Sequence, residues 1–282
     1  MIVASTRKDL TESLSSARAG GLRLGLVPTM GYLHEGHLSL VEIARREADL
    51  VAVSVFVNPF QFGPGEDLGR YPRNLDQDLE LLRQRGADLV FAPSVEEMYP
   101  FGMPEVTVDP GPTAQALCGS YRPGHFGGVL TVVARLFGLF RPQLAVFGQK
   151  DYQQVTLIRK MVRDLELGVS IGLAPIIREN DGLALSSRNV FLSPEERSQA
   201  IGLWRGLSAV QTAFQDGERS VPALRSLLLK ELGQHPLLEL QYAEFVHPET
   251  LDATELAEPG FVVALAAFCG RTRLIDNHIF AE

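Results

Sequence analysis

The fold is decided by residues 26–37, which read Leu26-Val27-Pro28-Thr29-Met30-Gly31-Tyr32-Leu33-His34-Glu35-Gly36-His37. The apolar run Leu22–Val27 leads into this stretch and predicts a short buried strand. Beyond the stretch, apolar positions recur at helical spacing, at Leu38, Val41, Ala44 and Ala48. The sequence therefore predicts a strand, a tight turn and then a helix whose first turn carries two histidines.

The start of this helix has the features of a phosphate site. A helix N-terminus presents unpaired backbone N–H groups and about half a positive charge. Gly31 and Gly36 have no Cβ, so the backbone there allows a ligand to approach closely. His34 and His37 lie three residues apart, so both imidazoles can share one helical face and donate to a phosphate. A metal site and a simple surface pair remain alternatives for the two histidines at this point.

The turn differs from two common motifs and is similar to a third. No Gly-Lys-Ser/Thr follows it, so it is not a P-loop, and its histidines are not spaced as in His-Glu-x-x-His. A His-x-Gly-His pattern after a strand resembles the adenylyl-transferring α/β superfamily, which includes class I tRNA synthetases and cofactor nucleotidyltransferases. That resemblance implies that the histidines hold ATP phosphates while the α-phosphate is attacked.

Composition restricts the function classes. The chain has 282 residues, is 45% hydrophobic and carries a net charge of −8, which disfavours a nucleic-acid surface. Cys118 and Cys269 are too few for a disulfide framework, so we expect a reducing cytoplasm. Neither a secretory core near the N-terminus nor an apolar run of ~20 residues is evident, so no membrane partner is expected.

Strand and helix patterns alternate through the first part of the chain. We predict helices over 8–19, 76–85, 129–140 and 152–165, and strands over 50–57, 87–92, 143–147 and 169–174. A further short strand is predicted at 105–108, inside a Pro- and Gly-rich loop over 93–112. This alternation favours a parallel sheet with right-handed crossovers.

Polar clusters follow two of the predicted strands, where open α/β sheets bind their ligands. Asn58 and Gln61 follow the strand over 50–57, and their amides suit a hydroxy acid, although a simple turn is an equal alternative. Lys150 is unfavourable at a helix start unless an anion binds there. Gln154 lies four residues later, on the same helical face.

Two further loops carry candidate residues. Ser186 and Ser187 stand beside Arg188, a combination that suits phosphate but also occurs in solvated loops. The turn that contains His125 precedes a helix, and packing is favoured slightly over chemistry for that imidazole. Asp76 and Asp78 are candidate Mg²⁺ ligands, but a solvated helix face is favoured for both.

The pattern changes after about residue 176. Helices are predicted over 194–214 and 221–232, followed by strands over 237–245, 261–268 and 272–279. Helices followed by strands without alternation indicate a separate α+β domain. We therefore divide the chain into a domain over 1–176, a hinge over 177–187 and a second domain over 188–282.

Seven motifs, in their order along the chain, resemble the pantoate–β-alanine ligase family. Each motif alone is weak, but the ordered set is specific and runs through nearly the whole chain. The motifs are Pro28-Thr29-Met30-Gly31 with His34-Glu35-Gly36-His37, Asn58-Pro59 with Gln61-Phe62, Tyr71-Pro72-Arg73, Arg122-Pro123-Gly124-His125-Phe126, Phe147-Gly148-Gln149-Lys150-Asp151 with Gln153-Gln154, Asp181-Gly182-Leu183-Ala184-Leu185-Ser186-Ser187-Arg188-Asn189, and Arg273-Leu274-Ile275-Asp276-Asn277.

The resemblance implies a fold and a reaction. The fold is a Rossmann-like nucleotidyltransferase domain that binds ATP and pantoate, with a smaller C-terminal α+β lid domain, in a homodimer. The pantoate carboxylate attacks the α-phosphate of Mg-ATP, and pyrophosphate leaves. The β-alanine amine then attacks pantoyl-adenylate, which gives pantothenate and AMP.

The resemblance also implies the site residues. The catalytic groups are His34, His37, Lys150, Ser186, Ser187 and Arg188. ATP is bound by Pro28, Thr29, Met30, Gly31, Tyr32, Leu33, His34, Glu35, Gly36, His37, Gly148, Gln149, Lys150, Asp151, Ile177, Leu185, Ser186, Ser187 and Arg188. Pantoate and β-alanine are bound by Gln61, Gln154 and Asn58, and the Mg²⁺ ligands are not identified.

Two positions depart from the family pattern, and two other functions are considered. Gln149 stands where an acidic residue is common, and Leu185 replaces the usual Met. An adenylyltransferase for a phosphorylated cofactor precursor would need a cationic pocket where this chain has Asn58, Gln61 and Gln154. A catalytically silent nucleotide-binding module would not require the retained histidines, lysine and serines.

Overall fold

The computed structural model describes residues 1–281 and contains two sheets. All strand pairs of the six-stranded sheet are parallel, in the order β1-β4-β3-β2-β5-β6. Its strands are β1 (Ile2–Ala4), β2 (Leu24–Thr29), β3 (Leu50–Val55), β4 (Leu89–Phe91), β5 (Leu144–Gly148) and β6 (Ser170–Ala174). The helices of this part are α1 (Arg7–Ala19), α2 (Glu35–Glu47), α3 (Leu75–Gln84), α4 (Val95–Met98), α5 (Cys118–Tyr121), α6 (His125–Phe140) and α7 (Tyr152–Asp164).

The C-terminal part has three helices and a three-stranded antiparallel sheet. These elements are α8 (Pro194–Ala200), α9 (Gly202–Gln215), α10 (Val221–Leu232), β7 (Leu238–Val246), β8 (Val262–Cys269) and β9 (Thr272–Ile279). Short 3-10 helices occupy Pro59–Gln61, Asp67–Gly69, Pro112–Gln115, Gln149–Asp151 and Ser187–Phe191. None of the helices within residues 1–281 has the length and apolar character needed to cross a membrane.

The fold class is confirmed, three local predictions are wrong and one strand was not predicted. The segment 105–108 forms no strand, whereas the unpredicted β1 pairs with β4 at the sheet edge. The helix expected over 194–214 is two helices that meet at Ile201. Helix α6 begins at His125 instead of Val129, because Gly124 takes a positive φ of 80° and ends the preceding turn there.

The strand order places the site. After β2 the chain adds β3 and β4 on one side, and it then returns to add β5 and β6 on the other side. The carboxyl ends of β2 and β5 are therefore the switch point of the sheet, where parallel sheets open a crevice for ligands. The turn after β2 and the turn after β5 are the two that carry His34 and Lys150.

The small sheet is buried on both faces because its side chains alternate between two cores. Val263, Leu265 and Ala267 of β8 belong to the core that contains helices α9 and α10. Val262, Ala264 and Ala266 belong instead to the core that contains residues of the six-stranded sheet. This alternation follows the period of two residues in a strand, and it packs the two parts of the chain together.

The segment that connects the two parts of the chain, residues 177–187, is fixed by a partly buried ion pair. Arg178 donates to both carboxylate oxygens of Asp276, at 2.6 and 2.9 Å, and its guanidinium lies 3.9 Å from the ring centre of Trp204. Gly182 in the same segment has a φ of 102°, and a Cβ there would meet Trp204 at 1.9 Å. A bidentate pair of this kind fixes geometry as well as charge. The expected hinge is therefore anchored to β9 and α9.

We predict that Gly128→Ala weakens folding. A Cβ at Gly128 in α6 would lie 2.3 Å from the Phe60 carbonyl oxygen and 2.7 Å from Gln61 Cα, so the 3-10 helix beneath it must move. Overpacking of this kind costs about 1–3 kcal/mol. The midpoint of thermal unfolding tests this, with Gly138→Ala as the control, because nothing lies near a Cβ there. Equal effects of the two substitutions would contradict the prediction.

Candidate active site

The turn after β2 is held by a buried carboxylate. Asp78 of α3 accepts the backbone N–H groups of Tyr32, at 2.8 Å, and Leu33, at 2.7 Å. Gly31 has a φ of 80°, and a Cβ there would lie 3.0 Å from Asp78 Oδ2. The sequence favoured a solvated helix face for both Asp76 and Asp78. That expectation is wrong for Asp78, which is buried, and agrees with the exposed position of Asp76.

The two histidines cap the helix that follows. His34 is the N-cap of α2, and its Nδ1 accepts the Gly36 N–H at 3.1 Å. His37 Nδ1 accepts the His34 N–H at 3.4 Å, and the two ring centres are 4.1 Å apart. Since each Nδ1 is an acceptor, the neutral rings carry their proton on Nε2. Each imidazole thus keeps one N–H donor for a ligand.

Both imidazoles are held in the neutral form. Burial lowers the pKa of His34 from 6.5 to about 4, and the nearby Lys150 ammonium contributes to this shift. Burial also takes the pKa of His37 well below its ordinary value, with His34 and Lys150 adding to the effect. These imidazoles act as neutral hydrogen-bond donors near neutral pH, and the positive charge nearby belongs to Lys150.

The amide of Gln61 is oriented by its neighbours. Gln61 Oε1 accepts from Asn58 Nδ2 at 3.1 Å, and Gln61 Nε2 lies 3.1 Å from the Met30 sulfur. Asn58 is fully buried, and its Oδ1 also accepts the Tyr99 hydroxyl at 2.8 Å. The Asn58 amide is therefore occupied by protein contacts, and its geometry suits positioning of Gln61 better than direct contact with a substrate.

His125, the first residue of α6, contacts the 3-10 helix Pro59–Gln61 that carries the Gln61 amide. Arg122 donates to His125 Nε2 at 2.9 Å, so His125 Nδ1 carries the proton that is donated to the Gln61 carbonyl oxygen at 2.8 Å. Burial lowers the pKa of His125 to about 4, with Arg122 adding to the effect. Arg122 is itself paired with Glu66 through two contacts of 2.7 Å. The packing role that the sequence favoured for His125 agrees with these contacts.

The Ser-Ser-Arg segment faces the loop after β3. Arg188 donates to both oxygens of Asp67, at 2.7 and 3.0 Å, and its guanidinium is 5.6 Å from the Tyr71 ring centre. Ser187 Oγ is 3.2 Å from the Tyr71 hydroxyl. Ser186 Oγ accepts the Arg188 N–H at 3.3 Å and caps the 3-10 helix. Asp67 was not anticipated from the sequence, because its partner is 121 residues away.

These groups surround a cavity of about 210 Å³. Most of the predicted site residues line it: Pro28, Thr29, Met30, His34, Gly36, His37, Asn58, Gln61, Gly148, Lys150, Asp151, Gln154, Ile177, Leu185, Ser186, Ser187 and Arg188. Lys150, Gln154 and Arg188 also line an adjoining cavity of about 720 Å³ between the two parts of the chain. The structure therefore brings together loops that follow β2, β3, β5 and β6.

Five predicted ATP-binding residues lie outside this lining: Gly31, Tyr32, Leu33, Glu35 and Gln149. The first three shape the turn over Asp78, and Glu35 pairs with Arg85 at 2.7 Å. Gln149 points toward β9, where its Nε2 donates to Asn277 Oδ1 at 3.2 Å. These five residues therefore shape the loops around the cavity through contacts with other protein groups, and they do not line it.

One wall of the cavity is apolar and was missed from the sequence. It is formed by Phe56 beside β3 and by Val129, Val132, Val133 and Leu136 of α6. The helical spacing of the α6 residues predicts a buried face, but it does not say whether that face meets a core or a ligand. The wall and the polar groups line the same cavity, so the cavity suits a small molecule with one apolar and one polar side.

The chain matches known proteins along its whole length. The family model described as Pantoate-beta-alanine ligase matches residues 2–279. A pantothenate synthetase of Thermoanaerobacter sp. (strain X514) is 52% identical over 282 residues, which cover 100% of this chain and 99% of the relative. The chain belongs to the pantoate–β-alanine ligase family. It is an ATP-dependent ligase that makes pantothenate, so the adenylyltransferase and silent-module alternatives are set aside.

Solved structures of this ligase family share the fold. A pantothenate synthetase from Thermus thermophilus is 49% identical and superposes with a TM-score of 0.94, with both chains fully covered. A pantoate-beta-alanine ligase from Francisella tularensis, complexed with Beta-gamma ATP and Beta-alanine, is 34% identical with a TM-score of 0.81. That comparison covers 99% of this chain and 97% of the other.

We predict that the ligand-free ligase loses stability as pH falls from about 6.5 toward 4. The unfolded state binds protons on His34 and His37 in this window, whereas the folded state keeps both imidazoles neutral. The free energy of unfolding therefore decreases as the pH is lowered. Calorimetric unfolding at several pH values measures the slope. A His34→Gln/His37→Gln variant should show a shallower slope, and an unchanged slope in that variant would refute the assignment.

Proposed function

We propose that the triphosphate of ATP lies across the amino end of α2 and accepts from the imidazoles of His34 and His37. The observation that carries this proposal is the use of both Nδ1 atoms by backbone N–H groups. That arrangement leaves Nε2–H as the donor on each ring, at a helix end that already favours anions. Neutral donors of fixed orientation stabilise developing charge without reorganising during the reaction.

Lys150, Ser186, Ser187 and Arg188 hold the phosphates from the other side. Lys150 supplies a charge close enough to both histidines to lower their pKa. Asp67 accepts from Nε and Nη2 of Arg188, so the remaining Nη N–H donors of the guanidinium have a fixed orientation before any ligand arrives. Charge from Lys150 and Arg188, with hydrogen bonds from the two serine hydroxyls, stabilises the oxygens around the α-phosphate while the pantoate carboxylate attacks and pyrophosphate leaves.

Pantoate lies between the amides and the apolar wall. Its two hydroxyl groups bond to the amides of Gln61 and Gln154, and its two methyl groups pack against Phe56 and the valines of α6. The combination of polar and apolar lining residues in one cavity supports this placement. Asn58 positions Gln61 through the bond between their side chains. The β-alanine amine then attacks the acyl carbon of pantoyl-adenylate, and AMP leaves.

Mg²⁺ enters as part of the substrate MgATP. Within residues 1–281, no group of three or more His, Cys, Asp or Glu side chains is arranged to hold a metal ion. Mg²⁺ commonly keeps several waters and binds substrate phosphates with few protein carboxylates. We therefore propose that phosphate oxygens and water supply most of the Mg²⁺ ligands.

We assign the C-terminal domain the role of a lid and the enzyme the form of a cytoplasmic homodimer. The cavity between the two parts of the chain supports the lid. The dimer is supported by segment 95–106, where Phe101 is 99% and Val106 is 89% exposed in the single chain. Both cysteines are free thiols, which agrees with a reducing compartment.

We predict that His37→Ala slows pantoyl-adenylate formation by about 10²- to 10³-fold, the range for removal of one positioned hydrogen-bond donor to developing charge. Single-turnover rates with ATP and pantoate measure this step. His247→Ala, which removes an exposed imidazole in the C-terminal domain, is the control and should leave the rate unchanged. An unaltered rate in His37→Ala would contradict the proposed site.

We predict that Gln61→Ala weakens pantoate binding about 10-fold or more and leaves ATP affinity within about twofold. The amide is lost from a buried position, where an unpaired polar group costs about 1–3 kcal/mol. Titration calorimetry with each substrate separates the two effects. Gln77→Ala on the exposed face of α3 is the matched control. Wild-type pantoate affinity in Gln61→Ala would refute this role.

A further inference from the structure

The loop that carries Lys150 is held by the second sheet. Asn277 of β9 donates its side-chain amide to the carbonyl oxygen of Gln149 at 3.0 Å and to that of Lys150 at 2.9 Å. Asn277 is only 2% exposed, so water does not compete for these bonds. We propose that Asn277 is a positioning residue of the ligase reaction, which fixes the Lys150 backbone and thereby aims the ammonium at the phosphates.

The amino end of this loop has no side-chain cap, either at the 3-10 helix Gln149–Asp151 or at the start of α7. The side-chain contact that holds the loop is made instead to its carbonyl oxygens, by a donor from outside it. Asn277 provides that donor from a different part of the chain.

The chemistry of asparagine suits this position. One amide nitrogen has two N–H groups, and here it serves two carbonyl oxygens. Asn277 Oδ1 accepts from Gln149 Nε2 at 3.2 Å, so the orientation of the amide is determined. Aspartate would place a carboxylate against two carbonyl oxygens, and alanine would leave both of them without a donor.

Asn277 is itself anchored through the connecting segment. Its backbone N–H donates to Asp276 Oδ1 at 2.8 Å, and Asp276 is held by the bidentate pair with Arg178. A path of direct contacts therefore runs from the expected hinge to the Lys150 loop. Lys150 is in place only when β9 is docked on the first domain, which couples the lid to the phosphate site.

The test is a double-mutant cycle, and it rests on the proposed contact between Lys150 and the phosphates. ATP affinity and the single-turnover rate of adenylate formation are measured for wild type, Asn277→Ala, Lys150→Ala and the double variant. We expect Asn277→Ala to slow adenylate formation about 10- to 100-fold, because displacements of about 1 Å have effects of this size. In the Lys150→Ala background the same change should alter ATP affinity and rate by less than about twofold. Asn277→Asp should be at least as slow as Asn277→Ala.

The control is Arg273→Gln. Arg273 lies on the same face of β9 and donates across the interface to Cys118 Sγ at 3.3 Å, without contact to the Lys150 loop. Its adenylation rate should stay within about twofold of wild type. Equal losses from Arg273→Gln and Asn277→Ala, or additive losses in the double variant, would indicate general loosening and overturn the proposal.

Two further outcomes are separated by the same set of proteins. If Lys150→Ala alone leaves ATP affinity and rate unchanged, the proposed phosphate contact fails and this inference fails with it. If Lys150→Ala is impaired while Asn277→Ala is not, only the inference fails. Should Asn277→Ala not fold, Gln149→Met removes the donor to Asn277 Oδ1 from a partly exposed site. We then expect a rate about three- to tenfold lower, and a wild-type rate would overturn the proposal.

Discussion

The active site depends on the bonds by which two imidazoles cap the helix that they begin. His34 and His37 turn their Nδ1 atoms onto backbone N–H groups, so both rings are fixed before any substrate binds. Asp78 performs a related task beneath them, because its carboxylate satisfies the N–H groups of Tyr32 and Leu33. The turn, the cap and the orientation of the donors therefore form one hydrogen-bonded unit. Every other group of the site is arranged around it.

The sequence predicted the larger elements of the fold well. Apolar runs located β2, β3 and β5, because strands covered on both faces contain few polar residues, and they also located the half-buried edge strand β6. The rule that ligands collect at carboxyl ends of strands then brought His34, Gln61 and Lys150 to one edge. The same rule could not distinguish residues that contact the cavity from residues that shape its turns. Gln149 shows this difference, since it lies outside the cavity lining and its amide donates to Asn277.

What the sequence missed depends on contacts between distant residues. Asp67 pairs with Arg188 across 121 positions, and Asn277 bonds to Lys150 across 127. No local pattern reports such pairs. Strand β1 was missed for another reason, because three residues that include the exposed Ile2 and Val3 have no measurable periodicity. The break between α8 and α9 at Ile201 is also silent in the pattern, because apolar positions continue through it.

The alternating burial of β8 has a consequence for how the chain reaches its native state. Because one face of the small sheet is completed by the first domain, residues 188–281 cannot satisfy their own apolar surface in isolation. Residues 188–281 are synthesised after the residues that cover this face of the small sheet. The apolar face can therefore pack as soon as it leaves the ribosome, which shortens its exposure to water. The two sheets are therefore separate in their hydrogen bonding, but we expect them to unfold together because they share an apolar core.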